Sequence, residues 1–194
     1  MVQPPLTFFL PYHVTERLQA AHARPNCSTV DGVTGCSAGD RRRKVMRQYL
    51  QTCAQIEKKA AEIYRLLSES AHYSLEVRQI FQSLANDEED HAHQLDFALR
   101  FPTGTATAKK DLWLGQATVL LHRVEELQHQ VDTAALPLAQ AAELAAELEG
   151  EFCRIHLENS VRFQDERMRA MFAAMARSEE SHLRKLAALK RLSA

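Results

Sequence analysis

Asn86-Asp87-Glu88-Glu89-Asp90-His91 and Arg177-Ser178-Glu179-Glu180-Ser181-His182 are the two stretches on which the fold turns. Each sets a Glu and a His three positions apart, so on a helix a carboxylate and an imidazole share one face, one turn apart. Their surroundings match as well. Arg78, Phe81, Ala85, Glu88, Glu89, His91 and Leu95 recur as Arg169, Phe172, Ala176, Glu179, Glu180, His182 and Leu186 at a constant offset of 91 residues. Such self-similarity predicts a duplicated helical unit.

If each half is a helical hairpin, the helix before each Glu-x-x-His helix should direct a further carboxylate at the same place. In the first, Cys53, Ile56, Glu57, Ala60, Ile63, Tyr64 and Leu67 form one face. In the second, Ala145, Leu148, Glu149, Phe152, Ile155, His156 and Asn159 occupy the corresponding positions. At helical spacing Glu57 and Glu149 both fall inside the apolar arc. The spacing to the paired peptides agrees, 31 residues from Glu57 to Glu88 and 30 from Glu149 to Glu179. Glu143, Glu147 and Glu151 fall away from that arc and are assigned to solvent.

The rest of the chain supports a helical reading. Glycine and proline number six each in 194 residues, too few to break many elements. Asp40 is a plausible cap for a helix to about Ser68, and Ser74 for a second to about Arg100. Phe101-Pro-Thr-Gly-Thr105 ends that second helix, and the connection after it contains the only Trp, Trp113. Residues 112 to 131 form an amphipathic segment with no ligand pattern. Pro137 suits the first position of the next helix, to about Ser160, because its missing N–H costs nothing there. A last helix spans about Gln164 to Arg191. No strand-like alternation appears. The expected class is all-α, a four-helix bundle over residues 41–194 whose long crossover connection holds an extra helix. Residues 1–40, with four prolines and only the short amphipathic stretch Tyr12 to Ala23, read as a poorly packed arm.

A formal net charge of -1 gives no reason to expect nucleic acid or an anionic membrane as partner. The basic run Arg41-Arg42-Arg43-Lys44 reads as a solvated helix face. Cys27 and Cys36 lie in a Gly/Ser-rich stretch, Cys53 and Cys153 in helical patterns, and no Cys-x-x-Cys occurs. The four read as thiols without a function, although a Cys27–Cys36 disulfide is conceivable. With no signal-peptide pattern and no run of eighteen apolar residues, the expected setting is the cytoplasm.

Four carboxylates and two imidazoles facing one interior cannot stay unpaired, because isolated buried carboxylates are driven toward protonation or destabilise the fold. Two divalent cations cancel the four charges. One Glu from each of two helices plus a Glu-x-x-His from each of the other two is the carboxylate-bridged dinuclear arrangement. Its donors suit iron, with manganese or zinc possible. Tyr64 and His156, at equivalent positions of the two halves, are candidates for an outer shell orienting these ligands. His93 is expected to be exposed, and His13, His22, His72, His122 and His129 fit no ligand geometry.

On these residues the chain resembles the ferritin-like superfamily, and most closely the rubrerythrin group, over roughly residues 46 to 190. Glu57-Lys-Lys-Ala60-Ala-Glu-Ile-Tyr64 resembles the family's Glu-x-x-Ala-x-x-x-Tyr. Phe81 through His91 resembles its segment ending in Glu-x-x-His-Ala, and Ala141 through Glu149 its third-helix entry. The resemblance implies that Glu88 and Glu179 bridge two metals, with Glu57 and His91 completing one sphere and Glu149 and His182 the other. Two departures are visible. Rubrerythrins proper carry a further carboxylate one turn after the third-helix ligand, where this chain has Phe152, and a rubredoxin-type iron centre on paired Cys-x-x-Cys motifs, absent here.

The expected activity is therefore reduction of peroxide or dioxygen at a di-iron centre, with electrons from an external donor. A ferritin-like ferroxidase that stores or delivers iron, and a bundle whose metals only brace the core, are the alternatives. A homo-oligomer is expected, a dimer by preference.

Overall fold

Apolar residues three and four apart give each helix of this protein one buried stripe, and the stripes meet in a single core. A computed structural model describes residues 38–100 and 110–192. Its helices are α1 Ala38–Glu69, α2 Leu75–Ala98, α3 Lys110–Thr133, α4 Leu138–Arg162 and α5 Glu166–Leu192. Among the described residues there is no strand. The arm expected over residues 1–40 lies outside the described residues except for 38–40, which open α1. Cys27, Cys36 and the stretch Tyr12 to Ala23 lie outside them too.

The duplicated pattern is kept in burial. On α2, Val77, Phe81, Leu84, Ala85, Glu88, His91 and Leu95 are buried, and on α5 so are Met168, Phe172, Met175, Ala176, Glu179, His182 and Leu186. Glu89 and Glu180, one position past the glutamates of this stripe, are exposed in both halves. Helix α1 packs along α2 and α3, α4 packs along α5, and α2 meets α5. Four helices, α1, α2, α4 and α5, therefore surround one interior. Full burial of an aromatic such as Phe81 or Phe172 contributes roughly 1.5–3 kcal/mol.

Element ends follow local chemistry. Ser74 caps α2, its hydroxyl accepting from the Val77 N–H at 3.3 Å. Helix α1 begins two residues before Asp40, whose carboxylate instead pairs with Arg43 at 2.8 Å in the first turn. Pro137 occupies the cap of α4 rather than its first turn, in extended backbone. Asp165 accepts from the Arg167 and Met168 N–H groups ahead of α5.

Trp113 belongs to α3, not to the connection before it. It is buried, with its ring 6.1 Å from that of Tyr49 and the Arg162 guanidinium 5.2 Å over its face. Helix α3 thus lies on the outside of α1, tied there by Gln128, which donates to Glu62 and accepts from Lys59. It contributes nothing to the central cluster. Across the interior, Asn159 donates to the Tyr49 hydroxyl at 2.6 Å, and Tyr73 donates to the Leu136 carbonyl at 2.6 Å. No helix among the described residues is long and apolar enough to cross a membrane.

Candidate metal centre

Glu57 on α1, Glu88 and His91 on α2, Glu149 on α4, and Glu179 and His182 on α5 all turn inward, each at most 4% exposed. Helical spacing puts them there: each lies on the same stripe as apolar residues one turn before and after it. Two sets of ligand atoms result. Glu57, His91, His156 and Glu179 offer atoms within 4.8 Å of one another, as do Glu88, Glu149, Glu179 and His182.

Glu88 and Glu179 have a shared geometry. Glu88 places Oε2 3.0 Å from His91 Nδ1 and Oε1 3.0 Å from His182 Nδ1. Glu179 places Oε1 3.1 Å from His91 Nδ1 and Oε2 3.0 Å from His182 Nδ1. Each carboxylate thus divides its oxygens between the two imidazoles. Glu149 Oε2 lies 3.1 Å from His182 Nδ1, and its other oxygen accepts from the Tyr64 hydroxyl. His156 reaches further than an outer donor at the rim would, with Nε2 3.2 Å from Glu57 Oε1 and 3.3 Å from Glu179 Oε1.

The spacing argument missed one participant, Asp87. Its Oδ2 lies 3.1 Å from His182 Nε2 and accepts from Lys185 at 3.2 Å. A carboxylate on Nε2 places the proton there and turns the Nδ1 lone pair toward the centre. The remaining histidines and acids stay outside. His72, His93, His122 and His129 are exposed, as are Glu143 and Glu147, while Glu151 pairs with Arg154 at 2.7 Å. His13 and His22 lie outside the described residues.

The electrostatics are those of a crowded, buried cluster. Burial pushes Glu57 up to about 7 against the pull of His156. Burial and the neighbouring Glu88 hold Glu149 well above the usual carboxylate range. Glu88 and Glu179 go the other way: burial opposes their ionisation, but the surrounding imidazoles outweigh it and hold both low. Burial pulls the imidazoles down, yet Glu179 and Glu88 raise His91 to about 11, and Glu179 and Glu57 raise His156 to about 9. His182 is raised as well, by Glu149, Glu179 and Glu88. Without metal, protons on the imidazoles balance the carboxylates.

Protons do not satisfy every atom. Glu57 Oε2, Glu88 Oε1, both Glu179 oxygens and both His156 nitrogens are buried with no hydrogen-bond partner among the described residues. Each such atom costs about 1–3 kcal/mol, more when charged. That they converge on one interior is what a pair of cations would remedy, and the oxygen and nitrogen donors fit iron, manganese or zinc.

A helical bundle with a buried carboxylate–histidine cluster drawn from four of its helices is a ferritin-like protein with a candidate dinuclear metal site. Residues 48–190 match the family model described as Rubrerythrin, so the chain belongs to the rubrerythrin family. No curated protein matches the chain, and no solved structure does either.

Proposed function

We propose that this protein is a di-iron oxidoreductase that reduces peroxide or dioxygen with electrons from an external donor. The observation that carries the reading is the division of the Glu88 and Glu179 oxygens between His91 and His182, the placement two bridging carboxylates need. On this reading Glu88 and Glu179 would be the carboxylates shared by two metals, with Glu57 and His91 holding one and Glu149 and His182 the other. Two ferrous ions held there would supply one electron each, the pair that breaking an oxygen–oxygen single bond consumes.

The chain's own groups prepare the site. Asp87 fixes the tautomer of His182. The Tyr64 hydroxyl holds one Glu149 oxygen and keeps a proton within reach of the centre. Phe81, Phe152 and Phe172, all buried, exclude bulk water, so charges inside interact more strongly than in solvent. The residues of this sequence include no Cys-x-x-Cys pair, and the donor is assigned to a separate molecule. Free thiols at Cys53 and Cys153 suit a reducing compartment, the cytoplasm.

The test is stopped-flow reoxidation of anaerobically reduced, iron-loaded protein. The reading predicts oxidation by peroxide or dioxygen much faster than that of free ferrous iron at equal concentration. A rate no faster than that of free iron would sink it.

A further inference from the structure

The two halves of the chain differ in the group they place two turns after the first glutamate of each half. Tyr64 stands seven residues after Glu57, and His156 seven after Glu149. Each reaches across to the opposite half's glutamate, Tyr64 to Glu149 and His156 to Glu57. A phenol in that place donates a hydrogen bond. An imidazole there can bring a lone pair instead.

The contacts of His156 fit a lone pair once a cation takes the place of its proton. Nε2 lies 3.2 Å from Glu57 Oε1 and 3.3 Å from Glu179 Oε1, showing no preference of the kind a donor has for its acceptor. Neither contact has the direction of a hydrogen bond, and Nε2 is left buried without a partner. Glu179 Oε1, 3.3 Å away, is unpartnered as well, and so is Oε2 of Glu57, the other oxygen of the carboxylate beside it. Buried lone-pair atoms gathered this closely without hydrogen bonds describe a cation position better than a hydrogen bond.

Building on the dinuclear reading, we propose that His156 is a third imidazole ligand, binding through Nε2 the cation held by Glu57, His91 and Glu179. The two metal positions are then unequal. One has two imidazoles, and the other has the single imidazole of His182 with Glu88, Glu149 and the shared Glu179. Imidazole favours the later divalent metals and carboxylate the harder ones, so the two positions differ in metal preference.

Affinity alone cannot decide the matter, because outer partners of metal ligands also shift it by about 10–100-fold. A count of coordinated imidazoles can. In protein loaded with cobalt(II), each ligating His contributes one strongly shifted, exchangeable N–H resonance to the proton spectrum. The expected count is three for wild type, from His91, His156 and His182, and two for His156→Leu. Two in wild type with two cobalt ions bound overturns the proposal and leaves the dinuclear reading standing. Fewer than two cobalt ions per chain overturns that reading as well. Should His156→Leu fail to fold, the wild-type count decides.

Discussion

Asp87 stands one residue before Glu88, yet it acts on a histidine of another helix. By accepting from His182 Nε2 it keeps Nδ1 free for the centre, and Lys185 in turn steadies its carboxylate. Asp87→Ala should weaken metal binding by about 10–100-fold, read by competition with a chelator. Unchanged affinity would remove Asp87 from the account. Nothing in the sequence marks this residue, since it sits in an acidic run and its counterpart in the other half is Ser178. The repeat that exposed the glutamates hid their partner. Protonation belongs to the same scale. In metal-free protein, His156 and His91 are raised from 6.5 to about 9 and about 11. A raised imidazole contributes stability that is complete below about pH 6.5 and lost as pH passes its folded value. Glu57, raised to about 7, acts in the same direction, because its ionisation is penalised by burial. Glu88 and Glu179, held low, contribute stability that is lost on acidification instead. The urea midpoint of metal-free protein should therefore peak near about pH 5 and fall through pH 7 to pH 10. The loss is on the order of 3 kcal/mol for His156 alone. A midpoint unchanged between pH 6 and pH 10 would contradict this.

At the scale of the element, the helices were legible because their stripes carry both the apolar core and the ligands. Ser74 could be read as a cap because its side chain has a nearby N–H to satisfy. Asp40 could not, since the same carboxylate also serves Arg43 and the helix starts earlier. Trp113 borders a Pro/Gly-containing stretch, and its packing against Tyr49 and under the Arg162 guanidinium accounts for its burial in α3. Gly150 is a small weakness in α4, exposed, next to Glu149 but on the outer side of the helix. A Cβ built there meets nothing within 4 Å. Gly150→Ala should raise stability by roughly 0.5–1 kcal/mol in chemical denaturation while leaving metal content unchanged. A loss of stability would mean that α4 is not the regular helix described.

The whole molecule places two hairpins around one charged interior, with α3 outside it. The two Glu-x-x-His peptides were enough to foresee that interior, since duplicated polar residues on apolar stripes have nowhere else to go. His156 is only half legible in the sequence: its spacing makes it the counterpart of Tyr64, but its reach toward Glu57 and Glu179 depends on how the halves face each other. Among the described residues, the large apolar side chains left exposed are scattered over α2, α3 and α4. Whether this interior holds two metal ions shared by Glu88 and Glu179 is decided by metal content per chain in protein purified from its native host, for wild type and Glu179→Ala. Two ions per chain are expected in the wild type and fewer than one in the variant; equal, full occupancy in both would overturn the shared pair.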